Sequence, residues 1–323
     1  MAELSQFDRL DLAIDALLAR RDSQPSAAAA DIAPLVEIAA ALAELPREEF
    51  RNGLKSNLEA KTGMGTATVS YIREGFHTLT PYLTVREAPE LLEFVKQAFG
   101  AKELYRATGS EGGMHAEARI GDSIVMIGGG GEWRGTPMPT SIWLYVEDSD
   151  AVYAAALRAG AKSLSPPVDQ PYGDREAGVA DVAGNQWYIS THKGASYVRP
   201  GMHNVNLYLH PNEPVKLLQF LEKGLGAEIL EQHLAPDGTL VHAQVRVGSS
   251  AMGMGTARPE YPDMPTAIYM YVPDADSLYQ RALAAGAESL YPPADQPYGD
   301  RVGGVRDLCG NHWYIATHIR DAV

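Results

Sequence analysis

Apolar residues recur along this chain with two different periods. Near the start, Phe7, Leu10, Ile14 and Leu17 fall three and four apart, as do Leu35, Ile38, Leu42 and Leu45. That spacing predicts amphipathic helices. SQPSAAAA separates the first two as a loop, and Pro46 opens a third, striped by Phe50, Leu54 and Leu58. Residues 1–62 are therefore expected to be all-α. KTGMGTATVS gathers Gly, Thr and Ser, the composition of a linker, over 63–70. Beyond it the period drops to two. Leu79–Val85 predicts a strand, Ala88–Phe99 a helix ending at Gly100, and Leu104–Thr108, Met114–Ile120 and Ser123–Ile127 three more strands. The pattern restarts with strand Ser141–Val146, helix Ser149–Ala159 and three further strands, of which Gln186–Ser190 is the last.

The chain then repeats itself. TPYLTVREAPELLEFVKQAFGAKEL, from Thr80, matches NLYLHPNEPVKLLQFLEKGLGAEIL, from Asn206. SIWLYVEDSDAVYAAALRAGAKSL matches AIYMYVPDADSLYQRALAAGAESL, and DREAGVADVAGNQWYISTH matches DRVGGVRDLCGNHWYIATH. DQPYGDR occurs twice unchanged, at Asp169–Arg175 and Asp295–Arg301. The offset is 126 (Tyr82 to Tyr208) and becomes 127 in the middle (His115 to His242). Such self-similarity implies two domains of one fold, at 71–195 and 196–323.

A duplicated βαβββ unit carrying TPYL, AFGA, HAE, YVED, AGA, GDR and GNxW resembles the vicinal oxygen chelate (VOC) superfamily. The likeness is to its PhnB-like, glyoxalase/bleomycin-resistance branch, and it covers about three quarters of the chain. It implies an α+β protein of two tandem VOC domains behind the helical segment. In that family paired βαβββ modules form a U-shaped sheet whose concave side holds the site. The two copies are expected to pack as an internal pseudo-dimer.

Alternation assigns the faces. Leu79, Pro81, Leu83 and Val85 pack under the helices, leaving Thr80, Tyr82 and Thr84 to the concave side, with Asn206, Tyr208 and His210 in the second copy. Trp143 and Tyr145, Tyr188, and their counterparts Tyr269, Tyr271 and Tyr314 face the same way, with Gln186 and His312. On the strand after Gly113, His115, Glu117 and Arg119 share a face, matched by His242, Gln244 and Arg246. An aromatic wall of Tyr82, Trp143, Tyr145 and Tyr188 beside the strip His115–Glu117–Arg119 has the make-up of a small-molecule site. Aromatic faces suit planar or cationic ligands. The same tyrosines would equally cover a sheet face at a contact between the domains.

Charge and composition narrow the partners. The formal net charge is −14, from 41 acids against 27 bases, which repels phosphate backbones and anionic membranes. No run approaches the roughly 18 apolar residues of a membrane span, and the N-terminus does not read as a signal peptide. The single cysteine, Cys309, rules out a disulfide framework and suits the cytoplasm.

The resemblance also implies where a metal would sit: Thr80, Met126, Ser141 and Tyr188 in the first copy, and Asn206, Gly253, Ala267 and Tyr314 in the second. None is a carboxylate or an imidazole, so no cofactor is expected, although a divalent metal on a shifted set of His115, Glu117 and His192 stays open. His115 and Glu117 are the candidate catalytic pair, about 7 Å apart along a strand. GGGG at 128–131 opens no helix and reads as a flexible rim loop. In DQPYGDR, Pro171 and Gly173 mark a turn. Asp174 is expected on backbone amides, and Arg175 on a carboxylate such as Asp181 or at the cavity mouth. Three functions remain open. They are metal-free binding of a small aromatic or amphipathic molecule, a glyoxalase- or dioxygenase-type enzyme, and a regulatory protein that binds a partner or itself through residues 1–62.

Overall fold

The computed structural model describes residues 70–109 and 112–320. The helices expected within 1–62, and the linker apart from Ser70, lie outside the described residues. Four βαβββ modules follow one another. The first is β1 (Leu79–Val85), α1 (Ala88–Phe99), β2 (Lys102–Thr108), β3 (Met114–Ile120) and β4 (Ser123–Gly129). The second is β5 (Ser141–Tyr145), α2 (Ser149–Arg158), β6 (Lys162–Asp169), β7 (Asp174–Ala180) and β8 (Gln186–His192). The third is β9 (Val205–Leu209), α3 (Pro214–Phe220) running into a π turn at Leu221–Leu225, β10 (Glu228–Leu234), β11 (Leu240–Val247) and β12 (Ser250–Met254). The fourth is β13 (Ala267–Tyr271), α4 (Ala275–Ala284), β14 (Glu288–Asp295), β15 (Asp300–Arg306) and β16 (His312–His318).

The repeated motifs stop and start these elements. Gly100 ends α1 in the left-handed region at φ 64, which explains AFGA. Asp148 and Asp274 cap α2 and α4 by accepting the amides of Ala151 and Ser277. In the GNxW turns, Asp181 and Asp307 accept the indole N–H of Trp187 and Trp313 at 2.8 and 2.9 Å. Both tryptophans are fully buried. Truncating either would cost about 3–5 kcal/mol.

Strand pairing and core packing divide the molecule differently. Sheet I runs β14-β15-β16-β13-β1-β4-β3-β2 and joins the fourth module to the first. Sheet II runs β10-β11-β12-β9-β5-β8-β7-β6 and joins the third to the second. The junctions are antiparallel, with Thr80 opposite Tyr269 and Trp143 opposite Asn206. Each sheet therefore takes one module from each copy. The helix-side cores instead follow the copies. One gathers Leu83, Phe94, Ile142 and Trp187 from the first two modules, and the other Leu207, Leu221, Ile268 and Trp313 from the last two. Among the described residues, no helix is long and apolar enough to cross a membrane.

The tetraglycine is tightly packed rather than a loose rim. Gly128 and Gly129 end β4, and a Cβ on Gly128 would sit 2.8 Å from the Tyr82 ring. Gly129, Gly130 and Gly131 all have positive φ, from 118 to 57.

Candidate functional site

On the concave side of sheet II, β5 and β8 run in parallel register with Trp143 beside Tyr188, and β12 sets Gly253 beside Tyr208. Alternation aims the three rings into the concavity. Gly253 makes the room, because a Cβ there would lie 2.6 Å from Cδ2 of Tyr208. The result is a cavity of about 490 Å³, within the range of small-molecule sites. Trp143, Tyr188 and Tyr208 form its floor, with edge-to-face rings 5.8 Å apart. Tyr172, in the turn of DQPYGDR, and Tyr261 close the sides.

Few polar groups break this aromatic lining. Glu176 on β7 accepts hydrogen bonds from Ser190 Oγ at 2.8 Å and Tyr172 OH at 3.2 Å. Its carboxyl is pushed above the ordinary value by burial, only partly offset by those two donors. Arg199 comes from the segment before β9. Its guanidinium lies 5.4 Å from the Trp143 ring and 5.3 Å from the Tyr172 ring, and pairs with Asp174 at 3.1 Å. The Nε of Arg199 is buried and has no hydrogen-bond partner within the protein. His210 stacks on Tyr261, and burial pushes its pKa down to about 4, so it is neutral at neutral pH. His242 sits between Tyr208 OH (3.0 Å) and Glu231 (3.1 Å), its pKa also lowered by burial.

The concave side of sheet I is filled by its own residues. Phe76, Met126, Tyr269, Tyr271 and Val302 form a buried cluster, with Tyr82 and Tyr314 packed against it. Glu117 lies beneath, ion-paired to Arg73 and 3.6 Å from His115 Nε2. Burial raises its pKa, but hydrogen bonds from His115 and Arg73, together with the Arg73 charge, outweigh that and hold it below the ordinary value. His115 Nδ1 meets Tyr82 OH at 3.1 Å.

The residues expected along one wall are thus divided between two sheets. Trp143, Tyr188, Tyr208 and His242 line the sheet II cavity. Tyr145 lies fully buried beneath it, donating to Asp174 at 2.9 Å. Tyr82, His115, Glu117, Tyr269, Tyr271 and Tyr314 belong to sheet I. His115 and Glu117 lean closer than the strand repeat implied, but Arg73 holds the carboxylate. Arg119 is exposed near the end of β3, and Arg246 pairs with Glu228 at 2.6 Å.

In DQPYGDR the roles differ from expectation. Asp174 binds side chains, with His192 Nδ1 at 2.7 Å besides Tyr145 and Arg199, instead of backbone amides. Arg175 is drawn outward to Asp150 (2.7 Å) and Asp169 (3.1 Å); Asp181 is already committed to the GNxW turn. It is the loop's tyrosine that enters the cavity. Sequence reasoning missed Tyr172, Glu176, Arg199 and Tyr261. One signal for Arg199 was there: YIREG and YVRPG continue the repeat upstream, with Arg73 plus 126 giving Arg199.

The residues at the superfamily's metal positions do not fit a metal. The Asn206 amide donates to the carbonyls of His203 (2.7 Å) and Trp143 (3.3 Å). The Ser141 hydroxyl lies 3.4 Å from His210, and the space beside Gly253 is taken by the Tyr208 ring. In sheet I, Met126 is buried in the apolar cluster. No carboxylate or imidazole stands at these positions, and no chemical step is derived through an ion there.

The family model for the Glyoxalase/Bleomycin resistance protein/Dioxygenase superfamily matches residues 75–189 and 209–315. The chain belongs to this superfamily. Among its relatives, the uncharacterized protein Rv0887c of Mycobacterium tuberculosis is 38% identical over 122 residues, covering 34% of this chain and 72% of that protein. CFP32 of Mycobacterium bovis, named as a candidate glyoxylase, is 26% identical over 207 residues, covering 62% and 78%. Glyoxalase I from Zea mays superposes with a TM-score of 0.57 at 16% identity, over 74% of this chain and 92% of that one. That likeness shows the shared fold.

Proposed function

We propose that this superfamily member binds a small aromatic or amphipathic molecule in the sheet II cavity without a metal. The observation that carries the reading is the cavity of about 490 Å³, walled by aromatic rings and lined by one half-buried carboxyl and one cation stacked on the rings. A planar ligand would slide between Tyr188, Tyr208 and Tyr172. A hydrogen-bond donor on it would meet Glu176, and an acceptor the guanidinium of Arg199, which also lines the cavity. Trp143 provides the test. Its fluorescence is titrated with a panel of planar aromatic compounds in the presence of EDTA, with Trp143→Phe as the control. Saturable quenching lost in the control supports the reading. Binding that appears only when a divalent ion is restored would sink it.

The name of CFP32 and the likeness to glyoxalase I favour a second reading, an enzyme of the glyoxalase type. Here Glu176 would be the base, since Glu117 is tied to Arg73. Glyoxalase turnover that Glu176→Gln abolishes would support it over simple binding.

A further inference from the structure

Away from both concave faces, the two copies meet at a seam of reciprocal turns. The β3–β4 turn clasps the start of β9: Asp122 Oδ1 accepts the Asn204 amide at 2.9 Å, and the Asp122 amide donates to Asn204 Oδ1 at 2.9 Å. The β11–β12 turn clasps the start of β1 in the same way, the Ser249 amide donating to Thr78 Oγ1 at 3.0 Å. Gly121 and Gly248 sit in these turns at φ 59 and 55, where any side chain would strike Asn204 or Thr78. His77 and His203, related by the 126-residue offset, stack across the seam with ring centroids 3.5 Å apart and planes 13° apart.

We propose that His77, Asp122 and His203 form a transition-metal site on this seam. Asp122 Oδ2 lies 3.1 Å from His203 Nδ1 and 3.7 Å from His77 Nε2. One ligand atom from each residue falls within 4.8 Å of the others, the one such group among the described residues. Ligand atoms around a tetrahedral zinc, with bonds of 2.0–2.2 Å, stand about 3.3–3.5 Å from one another, and the two distances to Asp122 bracket that spacing.

The surroundings prepare two of the ligands. His203 Nε2 lies 3.0 Å from the Ser249 carbonyl, which only accepts, so Nε2 carries the hydrogen and Nδ1 is the nitrogen that faces Asp122. Asp122 Oδ1 is occupied by the Asn204 amide and by Ser123 Oγ at 2.6 Å, which leaves Oδ2 for the histidines. His77 Nε2 donates to the Asp122 carbonyl at 3.0 Å and must exchange that bond for the ion. The stacked rings must also turn apart, because lone pairs lying in parallel planes do not converge on one point. Two imidazoles and one carboxylate suit zinc, cobalt or nickel rather than calcium or magnesium. The carboxylate side chain is 49% exposed, which leaves an entry path and a fourth position for water. Ser249 replaces Asp122 in the second copy, so the pseudo-symmetry yields one site, not two.

The test uses untagged, EDTA-stripped full-length protein titrated with Zn²⁺ by calorimetry and with Co²⁺ by visible absorption. One equivalent is expected. His203→Ala and Asp122→Asn should each weaken it by about 100-fold, since loss even of an outer-shell partner costs 10–100-fold. His115→Ala and His242→Ala, on the concave faces, should leave it unchanged. Should the seam variants fail to fold, X-ray absorption of the zinc-loaded wild type is expected to show two imidazole ligands. No metal uptake, a site without imidazole, or binding lost in His242→Ala but kept in His203→Ala would each overturn the proposal. None of these outcomes bears on aromatic binding in EDTA, so the two readings stand or fall separately.

Discussion

Sheets I and II are built from the same parts and finish differently. Each takes one module from either copy and joins them by one antiparallel strand pair. Each carries an arginine from the lead segment, a buried aspartate from DQPYGDR and a tyrosine from the same loop. The differences lie at a few equivalent positions of the repeat. Met126 corresponds to Gly253, Thr84 to His210, and Val302 to Glu176. Where sheet I has Met126 within a packed aromatic cluster, sheet II has a glycine and an opening. Within one fold, side chains at a few equivalent strand positions separate a core from a cavity.

The arginines show the same divergence. Arg73 pairs with Glu117, whose side chain is 3% exposed, whereas its counterpart Arg199, with Gln244 in place of the glutamate, pairs with the fully buried Asp174 at 3.1 Å. Removing a carboxylate from such a pair strands its partner. Glu117→Ala is therefore expected to cost about 2–4 kcal/mol, since Arg73 remains partly solvated. Urea denaturation measures this. Aromatic binding at sheet II should be unaffected in the surviving folded protein. A drop in that binding would mean the two faces are coupled.

Gly253→Met transplants the sheet I solution into sheet II. The new side chain must displace the Tyr208 ring and occupy the cavity. Ligand affinity should fall at least tenfold, about 1.4 kcal/mol, and overpacking should cost about 1–3 kcal/mol of stability. Quenching titration and thermal melts read the two effects. Undiminished affinity would place the ligand elsewhere.

Much of this architecture was legible in the sequence. The repeat and the period-two strands gave the βαβββ modules, and alternation assigned Trp143, Tyr188, Tyr208 and His242 to a concave side, where they are found. Which modules share a sheet was not legible. Alternation reports the face a residue takes and is silent on which strand lies beside it, so it does not separate Tyr82 from Trp143. Arg199 and Tyr261 sit in loops without a period, and Glu176 lies on a strand whose small residues, Ala177 and Gly178, blur the pattern. The loop DQPYGDR was readable as a turn, yet the partners of Asp174 are distant in sequence and only the fold brings them together.

Acidification separates the faces more gently. His210 is pushed down to about 4 by burial, whereas Thr84 does not titrate. Between about pH 6.5 and 4 the unfolded chain takes up a proton that the folded cavity refuses, so stability falls as pH falls through that window. His210→Phe should flatten the slope of stability against pH there and change little at pH 7. An unchanged slope would mean that the imidazole is solvated.

Glu176→Gln gives the smallest effect and the sharpest contrast with Val302. The carboxyl is raised by burial, so its stabilising contribution is complete below its unfolded value near 4.5 and is lost as pH rises through the folded value. The amide keeps the shape and an acceptor for Ser190 and Tyr172, but carries no charge to desolvate. At pH 8 the variant should be as stable as the wild type or more so, by about 1 kcal/mol or less, and the difference should vanish near pH 4. Stability and binding then part company. If Glu176 is the polar anchor of the cavity, the same substitution weakens ligands that carry a donor or a cation and spares purely aromatic ones. A carboxyl that only filled space, as Val302 does in sheet I, would leave the order of ligand affinities unchanged.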